Sequence, residues 1–240
     1  MKGGQALTWL STGRIVALLV LCALVLAGRS WLEENPQHNP WAPLDLRDPT
    51  GFATASKISA LRGDPQQCRA VLNRSDVYFT SLAPTGEGEC ARPDRLQLDD
   101  TSLSPGDAET TCPVAVGLVL WLEKDVQPIA ESQFGTSVAR VEQLGTYSCR
   151  RMYGAASGRW SEHATGNAID ISAFVLEDGR RISLLADWNG NDEDAARFLR
   201  DVRDAACGRF GTVLSPDYNA AHADHFHFDQ GRPTRFGACR

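Results

Sequence analysis

The 240-residue chain has no basic cluster, no internal repeat and no low-complexity tract. Its formal charge is −6, and the first thirty residues hold Lys2, Arg14 and Arg29 but no acid, so the remainder carries −9. An acidic body without a basic patch excludes nucleic acid as a partner, because binding there rests on neutralising phosphates. No G-x-S-x-G elbow and no P-loop occurs, which removes the nucleophile-elbow hydrolases and the P-loop nucleotide enzymes. Glu162 stands beside His163 but not as H-E-x-x-H. No cysteine pair has the CxxC spacing of a zinc ribbon or a redox site. The acidic stretch Asp187–Asp194 lacks EF-hand ligand spacing and reads as a solvated turn ending in a helix N-cap at Asp192.

The chain begins with one apolar run, Ile15 to Ala27, bracketed by Arg14 and Arg29. It has the length of a signal-peptide core; extended back through Trp9 and Leu10 it makes a marginal transmembrane helix. No A-x-A cleavage site follows, although Val25 and Ala27 offer a weaker one before Gly28. The expectation is an uncleaved anchor over residues 1–30, in the inner membrane with the body in the periplasm. The alternative is secretion to the periplasm after signal cleavage. Cys22 falls in the apolar run, which leaves six cysteines in the exported part, an even number that reads as disulfides. Nearest-neighbour pairing is expected: Cys68–Cys90, Cys112–Cys149 and Cys207–Cys239.

Residues 31–52 hold four prolines and read as a tether. Residues 53–111 read as an N-terminal subdomain of short helical pieces, one short strand near Val77–Phe79 and Gly/Pro-rich turns. Residues 112–240 read as the main domain. Pro113 opens a strongly apolar helix that continues past Pro128 and stops at Gly135. Strands are expected over Val138–Tyr147, Ala168–Leu176 and Arg181–Trp188, the last two joined by a hairpin turn, Glu177–Arg180. An amphipathic helix is expected over Asp192–Gly208, then short strands at Thr212–Leu214 and His225–Asp229. The class is α+β, with a mainly antiparallel sheet and flanking helices.

Four of the five histidines lie at or after position 163. In a strand, His225 and His227 share one face while Phe226 and Phe228 take the other. Zinc accepts neutral imidazole and carboxylate, and catalytic sites supply three protein ligands plus water. His163, in a glycine-containing loop, and Asp170, near the start of the next strand, are placed to complete such a set. Paired histidines on a strand are also often surface residues, so the pattern alone leaves metal binding open. Of the tryptophans, Trp121 reads as core and Trp160, three residues before His163, as the best groove candidate.

The segment SEHATGNAID, from Ser161 to Asp170, resembles the S-x-H-x-x-G-x-A-x-D signature of LAS-type zinc peptidases, the lysostaphin-like, D-alanyl-D-alanine and murein endopeptidases. His225-x-His227 resembles their H-x-H motif, and Asp224-x-x-His227-Phe228 resembles the carboxypeptidase form of it. Together with TYSCR (146–150), LEDGR (176–180) and DYNAAHADHFHFD (217–229), these segments resemble the bacterial extensin-like C-terminal domain family over about residues 68–240. No Ser-Pro repeat is present, so plant extensin function is not implied. The resemblance implies a LAS/hedgehog-like core and a Zn2+ held by His163, Asp170 and His227. It implies Asp224 or His225 as general base, and Arg150 at a substrate carboxylate or oxyanion. The implied function is a membrane-tethered zinc D,D- or L,D-peptidase acting on peptidoglycan. The alternative is a non-catalytic, zinc-stabilised envelope-binding module. Ser161 and His222 are weaker candidates, for a loop hydrogen bond and a supporting position.

Overall fold

The computed structural model describes residues 12–234 and 237–240. Trp9 and Leu10 lie outside the described residues. The first element is a helix, α1 (Thr12–Glu34), whose stretch Gly13–Glu34 is long and apolar enough to cross a membrane and has none of its residues buried.

After α1 come α2 (Thr54–Ala60), α3 (Pro65–Arg74), β1 (Phe79–Ser81), β2 (Leu96–Leu98), β3 (Leu103–Ser104) and β4 (Glu109–Thr110). Then follow α4 (Cys112–Trp121), α5 (Gln127–Phe134), β5 (Val138–Gly145), β6 (Ala168–Leu176), β7 (Arg181–Ser183), α6 (Leu184–Asp187) and α7 (Glu193–Ala206). The chain ends with β8 (Thr212–Leu214), β9 (Phe226–Asp229) and β10 (Ala238–Cys239). The fold is α+β. Strands β1, β2 and β4 form a small antiparallel sheet. The main sheet runs β10-β8-β9-β6-β5-β3, with β7 on β6. Its centre is antiparallel and its two edges are parallel, β3 to β5 and β10 to β8, so the sheet is mixed.

The helix expected from Pro113 to Gly135 is built in three segments: α4, one π turn (Leu122–Val126) and α5, ended by Gly135 in the left-handed conformation. Pro128 falls in the first turn of α5, where a missing N–H costs little. Helix α4 is apolar on all sides because it is buried on all sides, with Cys112 through Leu118, Leu120 and Trp121 out of solvent. Trp121 anchors it to the sheet by edge contacts with Phe174 and Phe228, and its indole N–H donates to the Val202 carbonyl at 2.8 Å. Asp192 caps α7 by accepting from Ala195 N, as the sequence reading expected.

Three expectations change. The strand expected over Arg181–Trp188 stops at Ser183, whose hydroxyl caps the short helix α6; Trp188 is buried and its indole donates to Asp217. Residues 31–52 are no free tether, since Leu44 and Leu46 are buried in the same apolar core as α4 and the sheet. Two of the expected disulfides are re-paired: the bonds are Cys68–Cys112, Cys90–Cys149 and Cys207–Cys239. Cys68 on α3 lies against Cys112 because α3 packs on α4, with Cα atoms 6.0 Å apart. Both re-paired bonds join residues 53–111 to residues 112–240, and the two segments share one core.

Candidate metal centre

The site grows from strand pairing. Across β6 and β9, Asp170 stands opposite His227, Ile169 opposite Phe228 and Ile171 opposite Phe226. Opposed residues share a face. The pairing therefore sends Ile169, Ile171, Phe226 and Phe228 into the core, all fully buried, and leaves Asp170 and His227 together on the other face. Strand β8 extends that face with Leu214 beside His227 and Thr212 beside Asp229.

His163 arrives from the loop between β5 and β6. Ser161 accepts from His163 N at 3.3 Å and starts a 3-10 turn, Glu162–Thr165, which Gly166 ends in the left-handed conformation. The Gly166 φ of +70° favours glycine, and a Cβ there would also press on the Arg92 guanidinium at 2.9 Å. The loop is closed by Ser148 N to His163 O and Ser161 N to Arg150 O, and Cys90–Cys149 ties it to the preceding segment. Glu162, half-buried on the wall of the cavity beside His163, accepts from Asn167 Nδ2 at 2.7 Å.

Three donor atoms converge. His163 Nε2 lies 3.2 Å from Asp170 Oδ1 and 3.0 Å from His227 Nδ1, and His227 Nδ1 lies 3.0 Å from Asp170 Oδ1. The outer nitrogens fix the tautomers. His163 Nδ1 donates to the Thr146 carbonyl at 3.2 Å, and His227 Nε2 donates to Asp229 Oδ2 at 3.0 Å. In neutral rings the inner nitrogens are then bare acceptors, aimed with a carboxylate oxygen at one point. Three lone pairs at this spacing repel unless a positive charge sits among them. A tetrahedral cation with N and O ligands at about 2.0–2.2 Å sets edges of about 3.3–3.5 Å, so the 3.0–3.2 Å triangle would have to open slightly to hold one.

The proton equilibria show the same demand for positive charge. Burial would raise the Asp170 carboxyl, but hydrogen bonds and charge from His163 and His227 outweigh it and hold it well below the usual carboxylate range. Burial would lower His227, but Asp170 and Asp229 outweigh it and raise it to about 9. His222 moves the other way, to about 4, through burial and the neighbouring His225 and His227.

The remaining candidates gather around this triangle. His225 Nε2 is 3.8 Å from Asp170 Oδ1, and its Nδ1 bonds Asp224 Oδ1 at 2.8 Å. Asp224 is thus behind His225, largely in solvent. His222 packs against both the His225 and His227 rings and is held by Asn219 at 2.8 Å. A cavity of about 480 Å3 opens over the triangle, lined among others by Arg150, Tyr153, Trp160, Tyr218 and Arg232. Trp160 is on its wall under the Arg151 guanidinium, 4.5 Å from the ring centre.

Sequence reasoning gave no role to Thr146 or Asp229. Asp229 had a visible signal, since it lies two residues past His227 on the same strand face; a backbone carbonyl such as that of Thr146 leaves none. A second trio of possible ligands, Asp204, Cys207 and Cys239, is accounted for by the Cys207–Cys239 disulfide.

The fold and this two-histidine, one-aspartate cluster define a disulfide-bonded α+β domain with a candidate metal centre on the open face of its main sheet. The chain matches the family described as Extensin-like protein C-terminus over residues 66–240, and it belongs to that family. No curated protein and no solved structure gives a match.

Proposed function

We propose that this is a zinc-dependent peptidase-like protein, held on the outer side of the cytoplasmic membrane by α1, that hydrolyses amide bonds in peptidoglycan stem peptides or cross-links. The observation that carries the proposal is the convergence of His163 Nε2, His227 Nδ1 and Asp170 Oδ1, with both outer ring nitrogens already committed to acceptors. The choice of zinc, of the LAS-type class and of a cell-wall substrate comes from the motif resemblance. Export is supported by three disulfides, which persist in oxidising compartments, and by Lys2 and Arg14 ahead of the apolar run.

His163, Asp170 and His227 would hold the metal, which when bound supplies Lewis acidity and a bound water of pKa about 7. His225 is the better general base of the two candidates. It lies on the cavity wall near Asp170, whereas Asp224 reaches only the far nitrogen of His225 and orients it. Arg150 on the cavity wall meets a substrate carboxylate or a developing oxyanion, a task suited to a planar, permanently charged group. His222, neutral and buried, fixes the positions of the two imidazoles it touches.

The test is metal content of the purified, oxidised full-length chain beside the His163→Ala variant. About one zinc per chain in the parent and none in the variant is expected, followed by chelator-sensitive release of peptides from purified peptidoglycan. Zinc in neither protein overturns the metal centre. Zinc in the parent without release of peptides overturns the peptidase reading and leaves a zinc-stabilised envelope-binding module.

A further inference from the structure

The segment between α1 and α2 is proline-rich, yet it is tied down at almost every step. Asn35 donates twice to the Trp31 carbonyl, through its backbone N at 2.9 Å and its side-chain amide at 2.8 Å. The Asn39 amide reaches back to the Leu32 carbonyl at 3.5 Å. Lys57 donates to the Pro36 carbonyl at 2.7 Å and Ala53 N to the Gln37 carbonyl at 3.1 Å. The His38 ring is stacked on Trp31, centroids 5.2 Å apart, and against Phe52 at 4.8 Å, while Phe52 N donates to its Nδ1. Gly51 passes so close to the Gln37 backbone that no Cβ fits between them. The chain then dives into the core with Leu44 and Leu46, and Arg209 holds Thr50 from the far end of the sequence. The end of α1 is therefore clamped to the domain.

Around this clamp stand aromatic side chains the fold does not bury. Trp41 is 83% exposed, Phe52 89% and Trp31 48%. Single exposed apolar residues are ordinary. Three large rings beside the end of a fully exposed apolar helix are not scattered, and tryptophan is the side chain that favours the boundary between hydrocarbon and headgroups. The body carries −9, so an anionic bilayer surface repels it on average. Contact there must be apolar.

We propose that Trp31, Trp41 and Phe52 insert into the headgroup boundary of the bilayer that α1 crosses, so that the domain is docked on the membrane surface instead of hanging from a tether. The proposal rests on the reading of α1 as a membrane anchor. The test uses the full-length chain labelled with 5-fluorotryptophan in nanodiscs of phosphatidylethanolamine and phosphatidylglycerol. The Trp41 resonance is assigned by its loss in Trp41→Phe. Flotation comes first: a chain that does not stay with the discs overturns the anchor and the docking together. In chains that float, nitroxide carried near the top of the lipid acyl chains is expected to broaden the Trp41 signal at low and high salt alike, and to leave the buried Trp188 signal sharp. A sharp Trp41 signal in chains that float overturns the docking alone.

Discussion

Asp170 and His227 are register partners on adjacent antiparallel strands, and their side chains meet at 3.0 Å between Oδ1 and Nδ1. His227 is in turn held from behind by Asp229, two residues along the same strand. Asp229→Asn keeps the size of that group but removes its charge, and the amide can turn its NH2 to the ring. Zinc affinity is expected to fall about 10- to 100-fold, the usual cost of losing a partner behind a ligand. Competition with a zinc indicator measures it; unchanged affinity would show that Asp229 does not set the His227 tautomer.

The two candidate bases separate by position. His225→Ala is expected to keep zinc and to lower kcat about 10^2- to 10^4-fold, the range for losing a general base. Asp224→Asn leaves the imidazole in place and is expected to cost less. Measured turnover of a purified muropeptide decides it, and a larger loss for Asp224→Asn than for His225→Ala would reverse the assignment.

Disulfide mapping of oxidised protein is expected to yield peptides joining Cys68 to Cys112 and Cys90 to Cys149. Removing the second bond with Cys90→Ala and Cys149→Ala is expected to cost about 2–4 kcal/mol. Because Cys149 lies in the loop that carries His163, zinc binding should weaken alongside. Denaturant titration with and without zinc separates the two effects.

Glu109 joins the buried Arg92 to Arg95, at 3.1 and 2.6 Å. The hydrogen bond from Arg95 is the main reason its carboxyl is held below the ordinary value; burial opposes and Arg92 assists. A carboxyl lowered on folding adds stability above its unfolded pKa, and that part is lost as pH falls through the folded one. Glu109→Gln is therefore expected to cost about 1–3 kcal/mol near neutrality. The gap from the parent should close as pH drops below the normal carboxylate range, in urea melts at several pH values. A gap independent of pH would mean that shape, not charge, matters at this position.

The parts of the molecule legible in the sequence were those written by local periodicity. Strand β6, the hairpin after it, strand β8 and the Asp192 cap follow from alternation and turn chemistry over a few residues. His163, Asp170 and His227 were legible through a ten-residue motif and an H-x-H pair, and the structure brings all three to one point. What was not legible depended on long-range packing. Cysteine order gives no hint that α3 lies on α4, so Cys68 finds Cys112 and not its neighbour in sequence. A proline-rich stretch looks like linker unless the burial of Leu44 and Leu46 is known. Leu184 to Trp188 read as strand by their neighbours, yet the Ser183 hydroxyl starts a helix there.

The pairing of β6 with β9 also acts as an alignment gauge. Sliding β9 by one residue would turn His227 toward the core and push Phe226 and Phe228 into water, a penalty of several kcal/mol at about 1.5–3 kcal/mol per large apolar side chain. The candidate ligands Asp170 and His227 are held in line by rings buried on the opposite face of the sheet. A half-docked strand would lose the core and the His163–Asp170–His227 cluster at the same step, so the cluster exists whole or not at all.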